Sequence, residues 1–117
     1  MTRARHRVAL NVHKGRSAVE LAKLIAAGKS GYFDLVYIDG SHQAPDVLLD
    51  AALGFALTRV GGLLIFDDYL WSESLAGGRD PLRCPKLAID AFTNIHARKL
   101  DILFAPLDQL YVCKTAE

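Results

Sequence analysis

Asp39, His42, Asp67 and Asp68 are the residues of this sequence best suited to chemistry. Asp39 follows the apolar run Val36-Tyr37-Ile38, and Asp67-Asp68 follows Leu63-Leu64-Ile65-Phe66. Three carboxylates drawn into one crevice repel one another unless a cation or a proton neutralises them. Hard oxygen donors in a small open site suit Mg²⁺ or a similar divalent ion, with water or substrate completing an octahedron. His42 lies three residues after Asp39, and an imidazole titrating near pH ~6.5 suits proton abstraction at neutral pH. A plainer reading stands beside this one. Asp39 with Gly40 can simply turn the chain, Asp67 or Asp68 can cap it, and His42 can be a solvated loop residue. Gly15-Arg16-Ser17 is a weaker candidate, either a plain helix start or a place where backbone amides meet a polar ligand. Tyr69 and Trp71 either line a pocket or bury against the main body.

These residues need a scaffold, and the hydropathy pattern supplies one. Residues 7–12 read as a short strand. Residues 17–27 read as a helix, with Val19, Leu21, Ala22, Leu24 and Ile25 at helical spacing and Ser17 with Glu20 as a capping box. Gly28 and Gly31 end it. Residues 33–38 form an apolar run with little alternation, which suits a buried parallel strand. Pro45 fits the first turn of a helix at 46–58. Gly61-Gly62 breaks the pattern before a second buried strand at 63–66. Residues 69–85 carry Gly77, Gly78, Pro81 and Pro85 and read as a long loop. A helix at 86–98 follows, then strands at 101–105 and 109–114 joined by a turn.

The alternation predicts an α/β fold with helices on both faces of a mostly parallel sheet and an antiparallel last strand. Ligands of such sheets bind outside the carboxyl ends of the strands, where Asp39, Asp67 and Asp68 stand. Neighbouring strands lie about 4.8 Å apart, so the three acids can converge.

The chain has 117 residues, 51% hydrophobic, with a net charge of +1. That is enough for one core, so residues 1–117 read as a single domain. Near-neutral charge argues against a nucleic-acid binder. The basic cluster of Arg3, Arg5, His6, Arg7, His13, Lys14 and Arg16 reads as a solvated end. The longest uncharged run, residues 51–58, is too short to cross a membrane, which takes ~20 residues. Cys84 and Cys113 read as reduced packing residues of a cytoplasmic protein.

FDLVYIDGSH and TRVGGLLIFDDYLW resemble the fourth strand, fifth strand and following loops of the class I S-adenosylmethionine-dependent methyltransferases. VHKGRSAVELAKL resembles that family's third strand and next helix, and DILFAPLDQLYVCK its last two strands. The resemblance runs from about Arg7 to Lys114 and is nearest to metal-dependent small-molecule and sugar O-methyltransferases. It implies a Rossmann-like sheet, with Asp39, Asp67 and Asp68 as ligands of Mg²⁺ and His42 as the base. Gly15, Arg16, Ser17 and Asp39 would contact S-adenosylmethionine, and a small-molecule hydroxyl would accept the methyl group. The family's first two strands and glycine-rich turn have no counterpart, so the expectation is an incomplete domain. It would correspond to the C-terminal half, with an exposed strand edge and with a second copy or a partner supplying the rest. The alternative is a non-catalytic methyltransferase-like partner that associates through that edge. A phosphohydrolase built on the same acids lacks a nucleophile and a phosphate loop.

Overall fold

The computed structural model describes residues 7–106 and 108–117. Arg3, Arg5 and His6 of the basic cluster, and Leu107 within the expected turn, lie outside them. Three helices, α1 (Ser17–Ala26), α2 (Ala44–Leu57) and α3 (Pro85–Ile95), combine with strands β1 (Phe33–Ile38), β2 (Thr58–Phe66), β3 (Leu100–Leu103) and β4 (Leu110–Lys114) among the described residues. The sheet order is β1-β2-β4-β3. β1 and β2 run parallel, while β4 is antiparallel to both of its neighbours. The expected α/β class, with a mostly parallel sheet and an antiparallel last strand, is therefore present.

Local chemistry explains the boundaries. α1 stops at Gly28, whose φ of +85° suits a residue without a Cβ. The amides of Gly28 and Lys29 turn back to the carbonyls of Ile25 and Leu24 at 3.0 and 3.1 Å, which satisfies the helix end. α2 starts with Pro45 in its first turn and buries Val47, Asp50, Ala51, Gly54 and Phe55 along one stripe. Gly54 lets this helix close on the sheet. A Cβ there would meet Ile38 Cδ1 at 3.2 Å, Val36 Cγ1 at 3.3 Å and Leu64 Cδ1 at 3.4 Å. Alternate strand residues share a face, so Val36, Ile38, Leu64, Phe66 and Val112 form the floor of the core. Ile89 and Phe92 of α3 complete it, with Phe92 set edge-on to Phe55 and Phe66 at 5.4 and 5.9 Å.

Five expectations need correction. Residues 7–12 form no strand: Val8, Leu10 and Val12 are 88%, 83% and 71% exposed, and no described strand pairs with them. A period-2 pattern makes a strand only where a ladder partner meets it. Helices do not cover both faces among the described residues, because α2 and α3 share one core with the even-numbered side of β1 and β2. For the same reason β1 is not buried on both sides, and Leu35 and Tyr37 are half exposed at the sheet edge. The Ser17–Glu20 capping box does not form: Arg16 is the N-cap, and the Ser17 hydroxyl bonds Asp50 instead. Gly61-Gly62 does not end an element. β2 already begins at Thr58 and bulges through the glycines, with Phe33 opposite Thr58 but Leu35 opposite Leu63. The loop 69–85 is present with one 3₁₀ turn, Pro81–Arg83, and the helix expected at 86–98 is α3, ending at Ile95. No helix of the described residues is long and apolar enough to cross a membrane.

Candidate active site at the strand ends

Parallel pairing with Ile38 opposite Phe66 brings the carboxyl ends of β1 and β2 level. The Asp67 amide bonds the Ile38 carbonyl at 3.0 Å and fixes that end. Asp39, Asp67 and Asp68 consequently meet, each offering a carboxylate oxygen within 4.8 Å of the others. Their environments differ. Partial desolvation, with the neighbouring Asp67 and Asp68 charges, pushes the Asp39 carboxyl up. Desolvation also acts on Asp67, but hydrogen bonds from Tyr37, the Asp68 backbone and Gln109 outweigh it and hold that carboxyl below the usual range. Gln109 Nε2 stands 3.3 Å from Asp67 Oδ1, reaching over from the strand end beside β2.

His42 joins the same cluster. Its Nε2 lies 2.9 Å from Asp68 Oδ2. A carboxylate accepts, so Nε2 is the donor and Nδ1 points away from this bond. Asp68 has a φ of +56°, the only positive value at a non-glycine residue among those described. Aspartate tolerates this region better than most side chains. The strained backbone opens a turn in which the Trp71 amide bonds the Asp68 carbonyl at 3.0 Å. That turn stacks the indole of Trp71 on the His42 imidazole, with ring centroids 3.9 Å apart and planes 16° apart. On the other side, the Ser41 hydroxyl accepts from the Gln43 amide and donates to Asp46, tying the His42 loop to the start of α2.

The Gly15-Arg16-Ser17 group is only partly assembled with this cluster. Ser17 and Asp39 line one cavity of about 340 Å³ between α1 and the end of β1, with Leu21, Gly40 and Asp50. Arg16 and Ser17 line a neighbouring one of about 180 Å³ with Asp46 and Asp50. Gly15 lines neither and sits against Glu20. The Ser17 hydroxyl donates to both Asp50 oxygens, at 2.9 and 2.7 Å. Burial pushes the Asp50 carboxyl up against that hydrogen bond, and Asp46 adds to the push. Asp50, Gln109 and the Trp71 stack were not singled out in the sequence. Gln109 had a usable signal, since it directly precedes the strand that pairs with the Asp67 strand.

The family described as a methyltransferase domain matches residues 1–69. No curated protein matches the chain. Among solved structures, a protein from Corynebacterium glutamicum aligns with a TM-score of 0.61 and 22% identity, over 88% of this chain and 46% of its own. A methyltransferase of the mycinamycin biosynthetic pathway, MycE, in complex with Mg, SAH and mycinamycin VI, aligns with a TM-score of 0.63 and 26% identity. The match covers 89% of this chain and 31% of that one. The same enzyme with Mg and SAH gives a TM-score of 0.59 at 26% identity, over 90% of this chain and 31% of that one. The chain thus spans less than half the length of the structures it resembles.

Proposed function

The chain belongs to the methyltransferase-domain family, and from that premise we propose that it serves S-adenosylmethionine-dependent O-methylation of a small molecule, assisted by a divalent cation. The observation that carries this reading is the convergence of Asp39, Asp67 and Asp68 with a histidine bonded to one of them. The donor set fits a hard cation. Each of the three carboxylates offers an oxygen within 4.8 Å of the others, and hard anionic oxygen donors are what a divalent cation such as Mg²⁺ takes. Mg²⁺ and SAH in the MycE complex support the same choice of partners.

When bound, S-adenosylmethionine supplies a sulfonium methyl group and the cation supplies Lewis acidity at the acceptor oxygen. The rest falls to the chain. Asp39, Asp67 and Asp68 would hold the cation, whose charge would offset their mutual repulsion. His42 takes the hydroxyl proton on Nδ1, because Nε2 is committed to Asp68. Asp68 then steadies the imidazolium that forms. Ser17 and Asp39, which line the cavity beside α1, would hold the cofactor's nucleoside part, with Arg16 in the neighbouring cavity; Gly15, carried over from the resemblance, lines neither. We place this single domain, residues 1–117, in the cytoplasm, where the unpaired Cys84 and Cys113 stay reduced.

The edge of β1, unpaired among the described residues and with Leu35 and Tyr37 half exposed, favours a second reading: a methyltransferase-like partner that pairs through this edge without catalysing. Calorimetric titration with SAH, with and without Mg²⁺, separates the two. Saturable SAH binding, with Mg²⁺ binding lost in Asp67→Asn, is the result expected of the first reading. A folded chain that binds neither SAH nor Mg²⁺ overturns it and leaves the second.

A further inference from the structure

A cavity outside the carboxylate cluster has no role in the chemistry above. It has a volume of about 210 Å³ and lies between the loop 69–85 and the first turns of α3, lined by Leu70, Trp71, Arg79, Cys84, Lys86 and Asp90 among others. It adjoins the site. The indole that stacks on His42 also forms part of its wall. Pro85 faces the carboxylate crevice, while its neighbours Cys84 and Lys86 line this cavity.

Its charges are unequally committed. Lys86 Nζ donates to Asp90 Oδ2 at 2.5 Å, and the Tyr69 hydroxyl donates to Asp90 Oδ1 at 2.5 Å. The Asp90 hydrogen bond, with Tyr69 beside it, holds the Lys86 ammonium above the usual lysine range. Lysine and aspartate therefore cancel within the wall. Arg79 makes no ion pair with any described residue, which leaves the cavity one unbalanced guanidinium. A planar guanidinium presents a fork of donors that matches a carboxylate or a phosphate. Leu70, Trp71 and Leu87 offer apolar surface alongside it.

We propose that this cavity is a recognition subsite for a small planar ligand bearing one oxyanion, held by Arg79 and packed on Trp71. Resting on the methyl-transfer reading, the ligand is the acceptor, and its anionic group sits here while its hydroxyl reaches toward His42. Arg79 is thus a specificity residue.

Trp71 is the single tryptophan of the chain, so its emission reports directly on this cavity. The test titrates the chain, free of cofactor and metal, with benzoate, phenyl phosphate and benzyl alcohol. At least one anion should quench Trp71 saturably with an affinity about tenfold above that of the neutral alcohol, as expected of a charge-assisted contact. The tighter of the two anions identifies the headgroup. Arg79→Gln should abolish the preference, and Asp67→Asn should leave it intact. Equal binding of alcohol and anions, an absence of saturable quenching, or a preference that survives Arg79→Gln would each overturn the proposal. Because the titration needs neither cofactor nor metal, failure of SAH to bind leaves its outcome standing. Loss of the anion preference, in turn, leaves the methyl-transfer reading intact.

Discussion

At the scale of single residues, Asp68 carries two duties that can be separated. Its carboxylate faces His42, and its backbone holds a φ of +56° that starts the turn to Trp71. Asparagine also tolerates this backbone region, whereas a β-branched residue does not. Asp68→Asn should therefore keep the thermal midpoint while weakening Mg²⁺ at least about tenfold, the lower end of what losing even a residue that only supports a metal ligand costs. Asp68→Val should lower both. Mg²⁺ titration followed by Trp71 emission, beside a melting curve, checks the pair of variants, and equal Mg²⁺ affinity in wild type and Asp68→Asn would refute the assignment. Asp50 gives a second test. Burial raises its carboxyl, so the folded state holds a proton that the unfolded chain releases at lower pH. Stability is then lost as pH rises from the ordinary aspartate value through the raised one. Asp50→Asn keeps an acceptor for Ser17 and should remove that loss. The expected result is a higher Tm than wild type at pH 7, with the difference shrinking below the ordinary aspartate range. Unchanged melting across pH 3–7 would reject it. The acids and His42 were legible in the sequence because strand ends collect ligand chemistry. The Trp71 stack was not, since it depends on a backbone conformation that no residue pattern announces.

At the scale of elements, the least obvious link joins β4 to α2. Lys114 is only 2% exposed, and its ammonium donates to the Phe55 and Thr58 carbonyls at 3.0 and 2.9 Å. It also lies 4.7 Å from the Phe55 ring centre. These carbonyls close the end of α2, where a cation is favoured and unpaired oxygens are costly. Lys114→Met preserves the stem but removes the donors, and should cost about 1.5–3 kcal/mol, the range of hydrogen bonds involving a charged group. Urea unfolding should show the midpoint falling with an unchanged slope. A loss under 0.5 kcal/mol would mean that the carbonyls find water instead. Sequence reading found β1 at its observed bounds, placed α2 within a few residues and foresaw the closing antiparallel strands, because apolar runs and turn residues mark those elements locally. It placed a strand at residues 7–12 on the same local signal and failed. Pairing is a long-range property, and Val8, Leu10 and Val12 meet no ladder. A buried lysine at position 114 was equally invisible, since the carbonyls that hold it lie 56 and 59 residues away and only Glu117, at 3.3 Å, is near in sequence.

At the scale of the whole molecule, the arrangement of layers decides how the chain meets others. α2 and α3 share one face of the sheet, and the β1 edge has no neighbour among the described residues. An unpaired edge presents amides and carbonyls to any passing strand, and natural edges are commonly blunted by charge. β1 offers little blunting. Asp34 is engaged by Arg59 of β2 at 2.6 Å, and the outward residues that follow are Leu35 and Tyr37. The expected behaviour is concentration-dependent self-association, read as a rise in weight-average mass by sedimentation. A lysine on the open face should suppress it by repulsion between paired edges, without touching the core. Leu35→Lys should therefore run as a monomer at concentrations where the wild type associates, with the same thermal midpoint at low concentration. Association that persists in Leu35→Lys would move the contact away from this edge, to the exposed apolar stretch at Val8, Leu10 and Val12. A wild type that remains monomeric throughout would remove the partner reading and leave the strand-end carboxylates as the chain's principal functional surface.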